Sequence, residues 1–282
     1  MARAKTKAVV QDSDVCRQVM YALALKKYAR RWLFVIACCL LYLLLPRGSE
    51  NTLPGAGLER HVATVAVEGP VEGMSDKWYR ELEIVANSPN AAALILTIDS
   101  PGGVVSIADA GYSLLKRIHA RIPVVTVVGN TAASAGYLLA STGDVIFARE
   151  TSIVGSIGVL LEIPIFKQLL ENVGIEYRNA GVGHNLDVVP FQGLNDFTNK
   201  YLELAGEDSY RWFRSTVQYE RRLSDDALKK VIGGKIFLGH EALTLGLVDA
   251  IGDGSSALDW LSQQDASITA KTKVIDYSRF LG

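Results

Sequence analysis

A serine within a run of small residues is the first candidate for chemistry in this sequence. Ser134 follows an apolar stretch and stands within residues 129–137, GNTAASAGY, at the start of an apparent helix. The field of a helix N-terminus favours a developing oxyanion, and the next backbone N–H, that of Ala135, can face the same charge. Such a serine could act as a nucleophile. Alternatively, Ser134 only caps the helix through its side chain, a position at which serine is preferred.

A turn with two consecutive glycines offers a second set of groups that could serve nucleophilic chemistry. Residues 93–99 predict a strand, which leads into the sequence DSPGGV at 99–104. Gly102 and Gly103 have no side chains to cover their backbone N–H groups, so these amides can hold an oxyanion. The alternative is an ordinary strand-to-helix turn without a chemical role.

Two further glycine-containing stretches lie later in the chain. Residues 151–159, TSIVGSIGV, place glycines among β-branched residues, which indicates close backbone approach, a bulge or a packed interface. Residues 234–249, GKIFLGHEALTLGLVD, form the last stretch.

These four stretches, in this order, resemble the signal peptide peptidase A (protease IV) family of membrane-anchored serine peptidases, related in fold to the Clp protease and crotonase groups. The similarity extends over residues 62–255. It implies that Ser134 is the nucleophile of an acyl-enzyme mechanism and that an amide of Gly102 or Gly103 forms the oxyanion hole with that of Ala135. It also implies that part of the third stretch builds the substrate groove. The groove residues are Gly155, Ser156, Ile157 and Gly158.

The resemblance implies a peptide substrate, either signal peptides or other extended apolar segments, bound by strand addition along the groove. It implies a homo-oligomeric ring and no metal or other cofactor. A non-catalytic peptide-binding or scaffolding ring is the alternative from another class. An acyl-CoA enzyme of the crotonase type is a third interpretation, because that fold also uses two backbone amides as an oxyanion hole. The Ser-Ala-Gly-Tyr context and the N-terminus argue against it.

The general base is where the sequence departs from the family. Relatives use a lysine a few residues before a Pro-Phe pair, and desolvation lets its neutral amine take the serine proton. Counting back from Pro190 places Asn185 at this position, and an amide cannot accept the proton. No lysine occurs between Lys167 and Lys200, so a shift of the alignment does not supply one.

Three explanations for the missing lysine are open. His184, beside the vacant position, could be the base, since imidazole pairs with serine in many hydrolases. A lysine from elsewhere in the chain, such as Lys200 or Lys235, or from a neighbouring subunit could take its place. In the third explanation the chain is an inactive relative, or a version of an active peptidase that lacks its base.

Strand-like and helical stretches alternate along the chain in the way that is typical of βα units. This predicts an α/β fold with a mostly parallel sheet, and the resemblance makes it a Clp/crotonase-like fold of ββα units. The runs 93–98 and 123–128 are apolar nearly throughout, as expected of strands covered on both faces. The strand-like stretches are His61–Val71, Ala91–Asp99, Ile122–Val128 and Asp144–Ala148. The helical stretches are 75–87, 105–120, 134–142, Asn195–Tyr219 and Ser224–Val231.

The N-terminus differs from the rest of the chain in charge. Residues 1–31 carry eight basic and two acidic side chains, a formal charge of +6, which leaves −7 for the remainder. Residues 32–45 are uncharged and largely apolar, and flanking basic side chains can snorkel to extend a run that falls short of the ~20 residues of a full span. The pattern predicts one transmembrane helix in the lipid bilayer. A cleaved signal peptide and a buried soluble helix are the alternatives.

Four segments follow from these patterns. Residues 1–31 are a basic cytoplasmic segment, 32–45 a membrane anchor, 46–59 a linker rich in Pro, Gly, Ser and Asn, and 60–282 a peptidase-like α/β domain. The charge bias places the domain on the periplasmic or extracellular side of the inner (cytoplasmic) membrane, as part of a single-pass protein.

Composition excludes several classes of protein. A net charge of −1 over 282 residues argues against a nucleic-acid binder that relies on a global basic field. The three cysteines, Cys16, Cys38 and Cys39, all precede residue 46, so the predicted domain has no disulfide, zinc-thiolate or cysteine-nucleophile site.

Overall fold

The computed structural model describes residues 59–74, 76–177, 191, 193–269 and 271–280. The basic segment 1–31 and the predicted anchor 32–45 lie outside these residues, as does the linker up to residue 58. Among the helices that are described, none has both the length and the apolar character needed to cross a membrane.

The described residues form eight strands and eight α-helices. The strands are β1 (His61–Glu68), β2 (Ala91–Ser100), β3 (Val124–Ala133), β4 (Val145–Ala148), β5 (Ile153–Gly155), β6 (Ile236–Leu238), β7 (Ala250–Ile251) and β8 (Lys273–Asp276). The helices are α1 (Lys77–Asn87), α2 (Val105–His119), α3 (Ala135–Ala140), α4 (Lys167–Asn172), α5 (Asp196–Glu220), α6 (Asp225–Val231), α7 (Gly239–Thr244) and α8 (Gly254–Gln264), and a 3-10 helix (Tyr277–Phe280) follows β8.

The strands form one sheet in the order β6-β5-β3-β2-β1-β8, with β4 paired to β3 and β7 paired to β4. Every strand pair is parallel except β5 with β6. The predicted α/β fold with a mostly parallel sheet is therefore confirmed.

Both faces of the central strands are covered, as their continuous apolar runs predict. In β2, Leu94 and Leu96 belong to the larger core with helices α1 to α3. Ala93 and Ile95 point the other way, into a second core that includes Leu261 of α8. The sheet is consequently a rigid platform whose strand ends can hold side chains in fixed positions.

Strand β3 extends further than its sequence predicts. A strand ending at residue 128 is expected because Gly129 and Asn130 are typical turn residues, yet pairing continues to Ala133. The first half of β3 pairs with β4 and the second half with β5. Asp99 holds the junction, because its carboxylate accepts hydrogen bonds from the Asn130 side chain at 2.7 Å and from the Thr131 N–H at 3.1 Å.

The two ends of the described domain meet at one edge of the sheet. Strand β8 lies parallel to β1, and the buried ring nitrogen Nε2 of His61 lies 2.8 Å from the hydroxyl of Tyr277, 216 residues away in sequence. The last strand therefore covers what would otherwise be an open edge of β1.

Glu81 of α1 is a buried acid at the same edge. It is 2% exposed and lines a cavity of about 470 Å³ together with Glu68 and Asp276. Lys77 lies 3.9 Å from its carboxylate. Desolvation raises the pKa of Glu81 to about 7; the Lys77 charge opposes this shift, whereas Asp276 and Glu68 add to it.

We expect Glu81→Gln to remove a pH dependence of the free energy of unfolding. Because the folded pKa lies above the unfolded value of 4.5, the favourable contribution of Glu81 is complete below pH 4.5 and is lost as the pH rises through about 7. The variant should exceed the parent in stability by about 1–3 kcal/mol at pH 8 and lose this advantage at pH 4.5. Chemical denaturation of the full chain at both pH values measures this. The exposed Glu83 on the same helix provides the control, Glu83→Gln, and an equal gain at both pH values would contradict the explanation.

Candidate active site

Ser134 lies in a sharp turn between β3 and α3. Its backbone has φ 51° and ψ −123°, a region that a residue with a Cβ adopts at a cost of order 1–3 kcal/mol. The Ser134 N–H donates to the Gly155 carbonyl at 2.9 Å, and the Ser134 carbonyl accepts from the Leu138 N–H at 3.0 Å. The Ser134 side chain makes no capping hydrogen bond. The helix-cap alternative is therefore wrong, and the hydroxyl lines a groove instead.

The double-glycine turn packs directly against this serine. Gly102 has φ 114°, and a Cβ on it would lie 2.7 Å from the Ser134 Cβ and 3.1 Å from the Ala133 carbonyl oxygen. On the other side, a Cβ on Gly136 would lie 2.9 Å from the Ser100 carbonyl oxygen. Both glycines are needed for β2 and α3 to come this close, so the structure brings the first two sequence stretches together.

The backbone amides around the serine differ in their availability. The N–H of Gly102 donates to the Ser100 hydroxyl at 3.2 Å, and the Gly102 carbonyl accepts from the Val71 N–H at 2.9 Å. In a trans peptide the N–H of Gly103 points away from the Gly102 carbonyl. This N–H has no acceptor among the described residues. The same holds for the N–H of Ala135 at the start of α3. Gly103 and Ala135 thus offer two backbone N–H groups that have no acceptor among the described residues.

The third and fourth sequence stretches meet beside the serine. Ser156 also has a positive φ, 52°, and its N–H donates to the Lys235 carbonyl at 2.6 Å. Ile157 is buried and forms an isolated parallel bridge with Ile232. A Cβ on Gly158 would lie 3.2 Å from the Gly234 Cα. Residues 155–158 are therefore clamped between the serine turn and the glycine turn at 233–234.

A groove of about 1050 Å³ opens over Ser134. Its lining includes six aliphatic side chains, which suit the apolar side chains of an extended ligand. The residues that line it are Ser134, Ser156, Gly158, Val159, Leu160, Leu161, Ile163, Leu194, Asn199, Leu202, Glu203, Gly206, Glu207, Tyr210, Gly233 and Gly234.

The predicted base positions, Asn185 and His184, lie outside the described residues. Of the two other lysines proposed, neither Lys200 nor Lys235 is among the residues that line the groove in the described part. The Lys235 Nζ donates to the Lys230 carbonyl at 3.3 Å. The described groove lining therefore supplies no amine or imidazole to Ser134.

The three described histidines have partners elsewhere. His61 is bonded to Tyr277, His119 lies 2.8 Å from the Asp144 carboxylate, and the His240 Nδ1 lies 3.3 Å from the Glu150 carbonyl oxygen. None of the three lines the groove.

Two supporting groups are not apparent from the sequence. Asp99, which holds the junction within β3, is marked only by its place at a strand end. Tyr137 of the serine stretch is fully buried, and its hydroxyl donates to the Leu247 carbonyl at 2.8 Å. Burial raises the pKa of Tyr137, so the hydroxyl stays a donor and fixes α3 to the fourth stretch.

An ion pair behind α3 strengthens the same support. Arg221 follows the last residue of α5; its side chain is 7% exposed and lies 2.7 Å from the Asp249 carboxylate. The other Asp249 oxygen accepts from the Ile146 N–H at 2.8 Å. The fourth stretch consequently supports the serine helix from behind as well as closing one side of the groove.

Comparisons with known proteins find peptidases of similar sequence. Residues 116–268 match peptidase family S49, and residues 59–153 match the Clp protease family. The chain is 34% identical over 202 residues to slr0021 of Synechocystis sp., which is described as a protease, and the match covers 71% of this chain and 73% of the relative.

Two other relatives and one solved structure are similar to lesser degrees. A protein of Enterococcus faecium described as signal peptide peptidase SppA is 29% identical over 243 residues, which cover 81% of this chain and 70% of the relative. Protease 4 of Haemophilus influenzae is 29% identical over 228 residues, 77% of this chain and 37% of the relative. A mutant ClpP1 of Listeria monocytogenes superposes with a TM-score of 0.47 at 14% identity, covering 73% of this chain and 96% of that one.

Proposed function

The chain belongs to peptidase family S49, and from this membership we propose that it is a membrane-anchored serine peptidase that hydrolyses signal peptides or other extended apolar peptides through an acyl-enzyme on Ser134. One observation carries the proposal. Ser134 is held at positive φ and lines the groove, and the backbone N–H groups of Gly103 and Ala135, in the turns next to it, have no acceptor within the described residues. A strained residue in a ligand groove is a mark of functional sites.

The proposed reaction has two halves. The Ser134 hydroxyl oxygen attacks the scissile carbonyl carbon and gives its proton to a base, while the Gly103 and Ala135 amides stabilise the oxyanion. The C–N bond then breaks, the proton passes to the leaving amine, and an ester on Ser134 is left. Water attacks this ester, the second peptide product leaves as a carboxylic acid, and the serine regains its proton.

The substrate is proposed to bind as an added strand between the double-glycine turn and residues 156–159. Gly103 and Ile157 already form isolated parallel bridges with Val71 and Ile232, so both segments are held in place by neighbouring backbone. Apolar substrate side chains would lie on the wall at Val159–Ile163.

The identity of the base separates two candidate functions. A base from His184, from a distant lysine or from a neighbouring subunit would make the chain a peptidase. Asn185 at the position of the family's lysine favours the second candidate, a peptide-binding or scaffolding oligomer without turnover. Oligomerisation is consistent with exposed apolar side chains outside the groove lining, such as Leu169 at 59%, Val173 at 61% and Phe197 at 58% exposure.

Labelling of the full chain with a fluorophosphonate tests the proposal, because this reagent reacts with activated serines. We expect label on Ser134 in the folded protein and its loss on heat denaturation before labelling, with the modified serine located by mass spectrometry of the digest. Peptide binding without label on Ser134 would instead support the scaffolding function.

The anchor is proposed to be residues 32–45, with residues 1–31 in the cytoplasm and the domain across the membrane, because basic residues flank the cytoplasmic side of a span. We expect protease added outside sealed spheroplasts to digest the domain while a cytoplasmic marker protein stays intact. Protection of the domain until the membrane is opened would reverse this orientation.

A further inference from the structure

One wall of the groove is a single face of α5. The lining residues of this helix recur at spacings of three and four, which places them on one face. The opposite, apolar wall closes on this face at Gly206, where a Cβ would lie 3.2 Å from the Leu161 Cδ1. The α5 residues that line the groove are Asn199, Leu202, Glu203, Gly206, Glu207 and Tyr210.

Two of these residues give the groove its charge. Glu203 and Glu207 are one helical turn apart and flank the point where Leu161 meets Gly206. They are the acids among the described residues that line the groove, and no Lys, Arg or His stands among those residues. Glu207 lies 3.9 Å from Arg211, with both side chains about 60% exposed, so screening by water leaves this pair weak.

The two acids are spaced along the axis of α5. Both are exposed, and one helical turn places Glu203 about 6 Å from Glu207 along that axis. A lysine or arginine side chain can span such a distance, packing its apolar stem on the groove wall and placing its charge between the carboxylates.

We propose that Glu203 and Glu207 select peptides in which a basic residue adjoins an apolar stretch. This inference rests on the proposed function, because the ligand occupies the groove over Ser134. The apolar wall takes the apolar stretch, and the two carboxylates attract the basic side chain and repel an acidic one. A basic segment followed by an apolar segment is also the composition of secretory signal peptides.

Binding of three fluorescent peptides tests this proposal without the need for turnover. The peptides share one apolar run and differ at a single adjoining position, which is Lys, Gln or Glu. Their affinities for the full chain carrying Ser134→Ala are measured by fluorescence anisotropy. We expect the Lys peptide to bind about threefold to tenfold more tightly than the Gln peptide, the Glu peptide to bind most weakly, and the differences to shrink at high salt.

Two double variants on the Ser134→Ala background locate the effect. Glu203→Gln with Glu207→Gln should reduce the preference for Lys over Gln to less than twofold. The control, Glu171→Gln with Asp226→Asn, removes two exposed acids that do not line the groove and should keep the full preference.

The outcomes separate this inference from the proposed function. Equal binding of the Lys and Gln peptides, or a preference that survives loss of both Glu203 and Glu207, would overturn the inference and leave peptide binding in place. Failure of all three peptides to bind would overturn both.

Discussion

Ser134→Ala should abolish peptide hydrolysis, with a loss of at least about 10³-fold in kcat/KM, because it removes the proposed nucleophile of the covalent step. The melting temperature should stay within a few degrees of the parent. The Ser134 side chain makes no capping hydrogen bond that alanine would lose, and alanine accepts the φ of 51° at much the same cost as serine. Peptide cleavage and thermal melting of the same preparations measure both effects.

Ser134→Gly is the matched variant. Glycine adopts positive φ without a steric penalty, so this variant should be as inactive as Ser134→Ala but more stable by about 1 kcal/mol. Unchanged hydrolysis in either variant would eliminate the serine mechanism. Equal stability of the two variants would show that the turn stores no strain.

Asn185→Lys should create serine-dependent activity or raise it by about 10² to 10⁴-fold, the usual contribution of a general base. The gain requires a neutral amine, so activity should rise with pH until the lysine is deprotonated. Desolvation of that lysine would place its pKa below the free value of about 10.4. The pH dependence of kcat/KM for a fluorogenic peptide measures the gain.

Three companion variants make this experiment specific. Asn185→Arg adds a charge that cannot be removed at working pH and should gain nothing, and Asn185→Lys combined with Ser134→Ala should be inactive. In the unmodified chain, His184→Ala should abolish activity only if His184 is the base. In that case the activity of the unmodified chain should titrate near pH 6.5, as expected of an imidazole. If Asn185→Lys gains no activity while the unmodified chain cleaves peptides independently of His184, the base does not stand at position 185. A distant lysine must then supply it.

Much of the fold follows from local patterns in the sequence. Continuous apolar runs identified the central strands because burial on both faces leaves no polar face to interrupt them. Helices with a strong start signal were also predicted closely: Asn195 and Ser224 accept hydrogen bonds from the N–H groups of Thr198 and Ala227, and α5 and α6 begin at the next residues.

The predictions fell short where the outcome depends on contacts distant in sequence. The sequence places the end of β3 too early because the Asp99 carboxylate, 31 and 32 residues earlier, accepts the hydrogen bonds of Asn130 and Thr131 that a turn would otherwise expose. The choice between Gly102 and Gly103 as an available donor likewise depends on the Ser100 hydroxyl and on Val71. No local pattern contains that information.

The pairing of the first strand with the last has a consequence for biosynthesis. One edge of β1 pairs with β8, so this edge stays unpaired until the ribosome has synthesised the chain up to Asp276. At translation rates of roughly 5–20 residues per second, the 216 residues that separate His61 from Tyr277 take on the order of 10–40 s to appear. During that interval this edge of β1 is open to mispairing with another nascent chain. A binding factor that shields extended segments would therefore raise the yield of folded protein most if it acts before β8 emerges.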